Sequence, residues 1–184
     1  LVAVGSGYTD TTSHRLIVAR YTSSGTLDKT FNGNGYIVLI PAGISEGGAT
    51  AVVLQSDGRI VVAGSCTGND GGNDLLVHRF NSNGTLDTSF GGGTGFVRLD
   101  VDGTASVTDE TARSVVLQPD GKIVTAGDFS VSGGPRRVLV VRLNANGTPD
   151  STFGGAGFKI GAPLPGTGYH SFEASGVALQ SDGT

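Results

Sequence analysis

The chain is poor in the residues that anchor many chemistries. It has 184 residues but one cysteine, Cys66, and neither methionine nor tryptophan. A single cysteine excludes an internal disulfide and any cysteine cluster for metal. The three histidines, His14, His78 and His170, show no metal-ligand spacing. No apolar run approaches the roughly 18 residues of a membrane span. There is no secretory leader and no initiator methionine, which is the pattern of an excerpt from a longer chain. Basic charge is scarce too: the net charge is −4, which argues against nucleic acid as a partner. No stretch carries a 3.6-residue apolar period, so long helices are not expected. A Gly-x-Ser-x-Gly elbow and a phosphate loop are missing.

Glycine is abundant instead, at 32 residues, against a usual share of about 7 %. Six prolines and no Gly-X-Y period exclude collagen. The 37 % hydrophobic content suffices for a core. The glycines recur at fixed places because the chain repeats itself. One anchor reads "ATAVVLQSDG" (49–58), "ARSVVLQPDG" (112–121) and "ASGVALQSDG" (174–183). A second reads "ARYTSSGTLDKTF" (19–31), "HRFNSNGTLDTSF" (78–90) and "VRLNANGTPDSTF" (141–153). Leu54, Leu117 and Leu179 are spaced by 63 and 62 residues. Joining the final "LQSDGT" to the initial "LVAVGS" restores the internal pattern across a wrapped repeat of 59. The repeat units are therefore 49–111, 112–173, and 174–184 continued by 1–48.

Each unit holds four strand-like runs. In the middle copy these are a, 50–55; b, 59–64; c, 75–81; and d, 95–100. Asp-Gly between apolar runs marks a hairpin joining a to b. Four antiparallel strands at this period predict an all-β chain of three β-propeller blades, with a β-sandwich of tandem hairpins as the structural competitor. Three blades are fewer than the 4–8 of typical closed rings. The rest of the ring is expected from a longer parent or from a second copy, two copies giving six blades. The cut between a and b leaves unpaired β edges, so self-association through the split hairpin is expected.

The pattern Leu-Gln-x-Asp-Gly-(Lys/Arg)-Ile-Val-x-Ala-Gly, followed by Arg-(Leu/Phe)-Asn-x-x-Gly-Thr-(Leu/Pro)-Asp-x-(Ser/Thr)-Phe-Gly, resembles the delta-60 repeat. The resemblance covers essentially the whole chain. It implies a β-propeller and an exported bacterial setting, extracellular or at the cell surface. It carries no general enzymatic activity and no cofactor. The first copy departs at Ser23 and Asn32.

The repeated residues read as scaffolding, because every blade faces the same packing problem. Gly58, Gly121 and Gly183 are expected at positive φ in the a–b turn, after Asp57, Asp120 and Asp182. Arg20, Arg79 and Arg142 are expected to pair with Asp28, Asp87 and Asp150 rather than to form a ring for an anion. Phe31, Phe90 and Phe153 are expected to plug the gaps between blades.

A meander places the a–b turn and the c–d loop on one rim. The b–c loops (7–15, 66–74, 129–137) and d–a loops (41–49, 100–112, 162–174) fall on the other, and these differ from blade to blade. Individual loops on a regular scaffold are where specificity is expected. Ten acidic residues map to that rim or its edge: Asp10, Glu46, Asp70, Asp74, Asp100, Asp102, Asp109, Glu110, Asp128 and Glu173. Against Arg15, Arg113, Arg136 and Arg137 the balance there is near −6. Candidate ligand-binding residues are Asp70, Asp74, Asp100, Asp102, Asp109, Glu110, His78, Arg136 and Arg137. An acidic, glycine-rich rim suits Ca²⁺, a glycan or a basic protein partner, or is simply a solvated face. "GNDGGND" is one fragment of a Ca²⁺-type Gly-Asp repeat, and "DVDG" at 100–103 starts like an EF-hand loop and then fails. Cys66 lacks a His/Asn context for a nucleophile. The expected function is a non-catalytic scaffold or binding module. A channel enzyme of hydrolase or lyase type and a structural surface protein are the alternatives.

Overall fold

A computed structural model describes residues 1–8, 14–39, 44, 46–67, 71–101, 107–132, 134–162 and 171–183. The described chain is all β, in three successive antiparallel groups. The first comprises β1 (Val2–Tyr8), β2 (His14–Arg20) and β3 (Tyr36–Leu39). The second comprises β4 (Gly47–Leu54), β5 (Ile60–Thr67), β6 (Asn73–Phe80) and β7 (Phe96–Leu99). The third comprises β8 (Thr108–Leu117), β9 (Ile123–Val131), β10 (Arg137–Leu143) and β11 (Phe158–Ile160). Within each four-stranded group the spatial order is the chain order, as in a propeller blade. The one helical element among the described residues is a 3₁₀ turn, Gly91–Gly93, in the c–d loop.

Strands b and c run further toward the variable rim than the apolar pattern indicated. β5 continues through Thr67, and β6 begins at Asn73. Their polar ends join the ladder through backbone bonds, which hydropathy does not register. One parallel pair, Asn73 with Asp109, ties blade two to blade three there.

Successive residues of a strand point to opposite faces, and both faces of blade two are apolar. Leu75 and Val77 join Leu139, Val141 and Leu143 of blade three in one cluster with Phe90. Phe80, Ile60 and Val62 join Leu16 and Val18 of blade one in another with Phe31. The core among the described residues is thus two large layers between blades, with a smaller cluster of Ile44, Cys66 and Leu76, rather than one central mass.

The inner a strands carry a bulge at equivalent places, Ala49/Ala51 and Ala112/Ser114. The extra residue of the first, Thr50, donates its hydroxyl to the carbonyl oxygen of Ala112 in the next blade. Opposite the bulges the b strands bring their backbone very close. A Cβ on Gly64 would lie 2.0 Å from the Gly48 carbonyl oxygen, and one on Gly127 1.8 Å from that of Thr111. This is the physical reason for the repeated Ala-Gly in strand b. Gly127→Ala is therefore expected to destabilise the protein by roughly 1–3 kcal/mol or more, the range for overpacking a tight site. The urea midpoint of the variant, with an unchanged m-value, measures it.

Candidate functional site

On the rim of turns, each blade builds the same latch. Arg20 Nε lies 2.9 Å from Asp28 Oδ2, Arg79 Nε 2.6 Å from Asp87 Oδ2, and Arg142 Nε 2.7 Å from Asp150 Oδ2. The other carboxylate oxygen accepts bonds from the backbone N–H and hydroxyl of Thr30, Ser89 or Thr152. Each guanidinium also sits over a phenylalanine, 4.9 Å from Phe31, 4.6 Å from Phe90 and 4.8 Å from Phe153. The first two arginines then reach forward. Arg20 donates to the Ser82 carbonyl and Arg79 to the Ala145 carbonyl, both in the Asn-Gly turn of the next blade. Asn32 and Gly91 add backbone bonds to the carbonyls of Asn83 and Asn146. The ring edge of Phe31 lies beneath Gly84, and that of Phe90 beneath Gly147. Both glycines have φ of +92°, which favours glycine in itself.

The a–b turns feed the same carboxylates. Gly58, Gly121 and Gly183 have φ of +85°, +84° and +84°. Asp57 and Asp120 accept the N–H of Arg59 and Lys122. Arg59 reaches Asp87 at 3.1 Å, and Lys122 reaches Asp150 at 3.6 Å. The Thr152 hydroxyl, with Arg142 beside it, holds the Asp150 carboxyl down at about 2. Burial alone would raise Asp87, but the bonds from Ser89 and Arg79 outweigh it and its pKa is lowered. The latch carboxylates thus stay charged and are filled by their own blade.

The candidate residues of the variable rim scatter. Asp74 is buried and bonded to Arg98 at 3.0 Å, a base on strand d that loop-by-loop reading passed over. Asp109 accepts the backbone and side-chain N–H groups of Asn73. Asp100 is exposed. Glu110 is fully buried within β8, paired across from Phe129. Asp70 and Asp102 lie outside the described residues. Arg137 lies over the Phe129 ring at 4.8 Å. Arg136 and Arg113 share the buried Asp128 and the half-exposed Glu173, a network that fixes residues 171–183 against blade three.

His78 is not on the rim. It sits inside strand c with no exposed surface, stacked 5.8 Å from Phe80 and with the Phe96 ring tilted against it at 5.6 Å. Neither ring nitrogen has a hydrogen-bond partner, and burial pushes its pKa down to about 4. It is a neutral core residue where the other blades have Ala19 and Val141. Strand alternation explains this: an even step from Leu76 and Phe80 puts it on the same buried face.

The rim does contain a cleft, of about 180 Å³, where blades one and two meet. Its polar lining comprises Ser6, His14, Glu46, Thr50, Ser65, Thr67 and Asn73. Ser6 and Ser65 occupy one repeat position, where blade three has Asp128, so aligning the repeats against each other marks this site. Cys66 borders the cleft from a buried position, and burial raises its thiol to about 12. Among the described residues, no three His, Cys, Asp or Glu side chains gather as a metal site. No helix of the described residues is long and apolar enough to cross a membrane.

The latch phenylalanines also mark the limits of a family match. The model of a β-propeller domain of unknown function (DUF5122) matches residues 1–31, 55–90 and 118–153, more than half of the chain. Each match ends on a latch phenylalanine, Phe31, Phe90 or Phe153. The chain belongs to this β-propeller family. What the family segments share is thus strand b, strand c and the latch. A comparison with curated proteins gives no match.

Two outcomes follow for stability. Arg79 and Asp87 are each only 6 % exposed, and removing one partner of a buried pair costs about 3–5 kcal/mol. Arg79→Ala should lose that much in urea unfolding, and more than Arg142→Ala in the more open third latch. The pH dependence has two stages. Between 6.5 and about 4 the unfolded chain binds a proton that folded His78 refuses, so stability falls on acidification. His78→Leu should remove that slope. Below 3.8, protonation of the latch aspartates, whose folded pKa values are lowered, removes further stability down to about 2. Urea midpoints measured from pH 8 to pH 2 separate the two.

Proposed function

We propose that this chain is a non-catalytic β-propeller binding module of the delta-60 kind, taking a small hydroxyl-bearing ligand such as a terminal sugar in the cleft between blades one and two. The observation that carries this reading is the division of labour between the rims. The repeated arginines and aspartates are consumed by the latches, while the cleft offers the hydroxyls of Ser6, Ser65 and Thr67, the imidazole of His14 and the carboxylate of Glu46, beside Thr50 and Asn73, which already bond the Ala112 carbonyl and Asp109. That set donates and accepts hydrogen bonds and carries a single carboxylate, which suits a polyol or an amino sugar. Its volume lies below the range of drug-sized pockets, about 300–1,000 Å³, so a single ring or chain end is the fitting size. A catalytic reading finds less support, since the Cys66 thiol is held protonated and His78 is sealed in the core. A Ca²⁺ site has less support too, with Asp74 and Asp109 already engaged. The resemblance to delta-60 repeats supports an exported, cell-surface setting.

Calorimetric titration with a panel of neutral and amino sugars tests the reading. Saturable binding is expected for at least one, reduced at least ~tenfold (1.4 kcal/mol) by Thr67→Phe, which fills the cleft edge. No binding by any sugar, or binding indifferent to Thr67→Phe, overturns it.

A further inference from the structure

The cleft between blades one and two has an aromatic neighbour that the fold does not use. Tyr8 is 67 % exposed at the rim end of β1. Its direction follows from strand alternation. Val2 and Val4 pack into the layer between blades one and two, and a Cβ built on Gly48 of blade two would lie 3.0 Å from that of Ser6. Tyr8 is the next residue of the same face, so its ring is turned toward blade two, at the outer end of the cleft that Ser6 lines. Across the ladder it pairs with His14, another lining residue. Leu16 and Val18, on the same face as His14, are buried in the layer below. The exposure of Tyr8 is therefore a property of an internal junction, with a blade on each side of it.

The two rings are fixed against each other. The Tyr8 ring and the His14 imidazole meet edge to face, with centroids 4.0 Å apart and planes at 87°. At the position of Tyr8 the other blades carry Thr67 and Ser130, and at that of His14 they carry Asn73 and Arg136. The aromatic pair is thus particular to blade one, so a packing demand shared by all blades does not account for it. A ring left in water contributes little to stability, whereas a tyrosine with an apolar body and a wet hydroxyl is well suited to anchor a ligand.

Charge narrows the ligand further. Glu46 is the one carboxylate of the cleft, and no lysine or arginine stands among the described residues that line it. The Glu46 carbonyl accepts the N–H of Thr67 at 3.1 Å, which ties this residue to the end of β5. An anionic sugar would meet a like charge with no cation to offset it. A protonated amine gains twice. It donates charge-assisted hydrogen bonds to a carboxylate, and the face of a tyrosine ring attracts cations. A sugar ring supplies the rest, its C–H face packing on the aromatic ring while its hydroxyls exchange hydrogen bonds with Ser6, Ser65 and Thr67.

We propose that the ligand of this cleft is an amino sugar, with Glu46 accepting from its ammonium group and Tyr8 forming the wall on which its ring packs. The proposal rests on the reading of the cleft as a sugar site and names the class that the site prefers. Glu46 sets the preference for an amine over a hydroxyl or an acetamide at the same carbon. Tyr8 adds affinity for any ring that reaches it, because it acts on the ring face and not on the substituent. His14 holds the Tyr8 ring in place, so that little side-chain freedom is lost on binding.

Calorimetric titration just below neutrality, with the sugar amine protonated, tests this on matched probes. These are glucosamine, galactosamine and mannosamine, each beside its parent sugar and its N-acetyl form. At least one amine is expected to bind at least ~tenfold tighter than both of its counterparts (1.4 kcal/mol), with an advantage that shrinks as salt is added. Glu46→Gln should abolish that advantage. Tyr8→Ser, which gives blade one the residue type that blade three has there, should weaken the amine and its parent sugar alike, by ~tenfold, with circular dichroism unchanged. Amines bound no better than their parent sugars overturn the proposal while the reading of the cleft stands. A Glu46→Gln variant that keeps the preference, or a Tyr8→Ser variant that binds as well as the unsubstituted chain, overturns it too. If no sugar of any kind binds, the proposal and the reading fall together.

Discussion

Everything regular in this molecule hangs on an arginine held between an aspartate of its own blade and a backbone carbonyl of the next. A buried guanidinium is costly to desolvate unless all of its donors find partners. Arg79 finds them in Asp87, Ser89 and the Ala145 carbonyl, with its flat face on Phe90. The geometry is the planar fork that lysine does not offer. Because the aspartate takes a hydroxyl and an N–H on its other oxygen, the charge pair is closed off from solvent chemistry. The latch fixes the angle between blades, and the apolar layers of Leu75, Val77, Leu139 and Val141 fill the space that this angle leaves.

Fixing one rim this firmly frees the other. The b–c and d–a connections bear no part of the latch, so their lengths and residues differ without disturbing the blade angle. At one repeat position the blades carry Ser6, Ser65 and Asp128. The same backbone therefore presents a hydroxyl-lined cleft at one junction and, beyond blade three, an ion network through Arg113, Arg136 and Glu173. The polar cleft and the closed network are two solutions to one geometric slot.

Much of this was legible in the sequence because repetition multiplies weak signals. One Asp-Gly is a turn hint; three at a constant distance from Arg, Asp and Phe define a blade. The bulge in strand a was harder to foresee, since Thr50 and Arg113 differ and the constraint appears only as a glycine in the neighbouring strand. The rim suffered most. Counting Asp74, Asp128 and Glu110 as surface acids ignored that strands extend into the loops and carry those side chains indoors. His78 followed the same rule, its position decided by alternation rather than by its polarity.

The forward bonds of the latch end on the carbonyls of Ser82, Asn83, Ala145 and Asn146, and not on side chains. A blade therefore recognises the shape of its successor's turn and is blind to most of its letters. Blades become interchangeable parts, able to be duplicated, deleted or reordered within a gene without re-evolving a junction. Diversification of the loops and change in blade number are thereby uncoupled, since the loops and the latch lie on opposite rims of the blade.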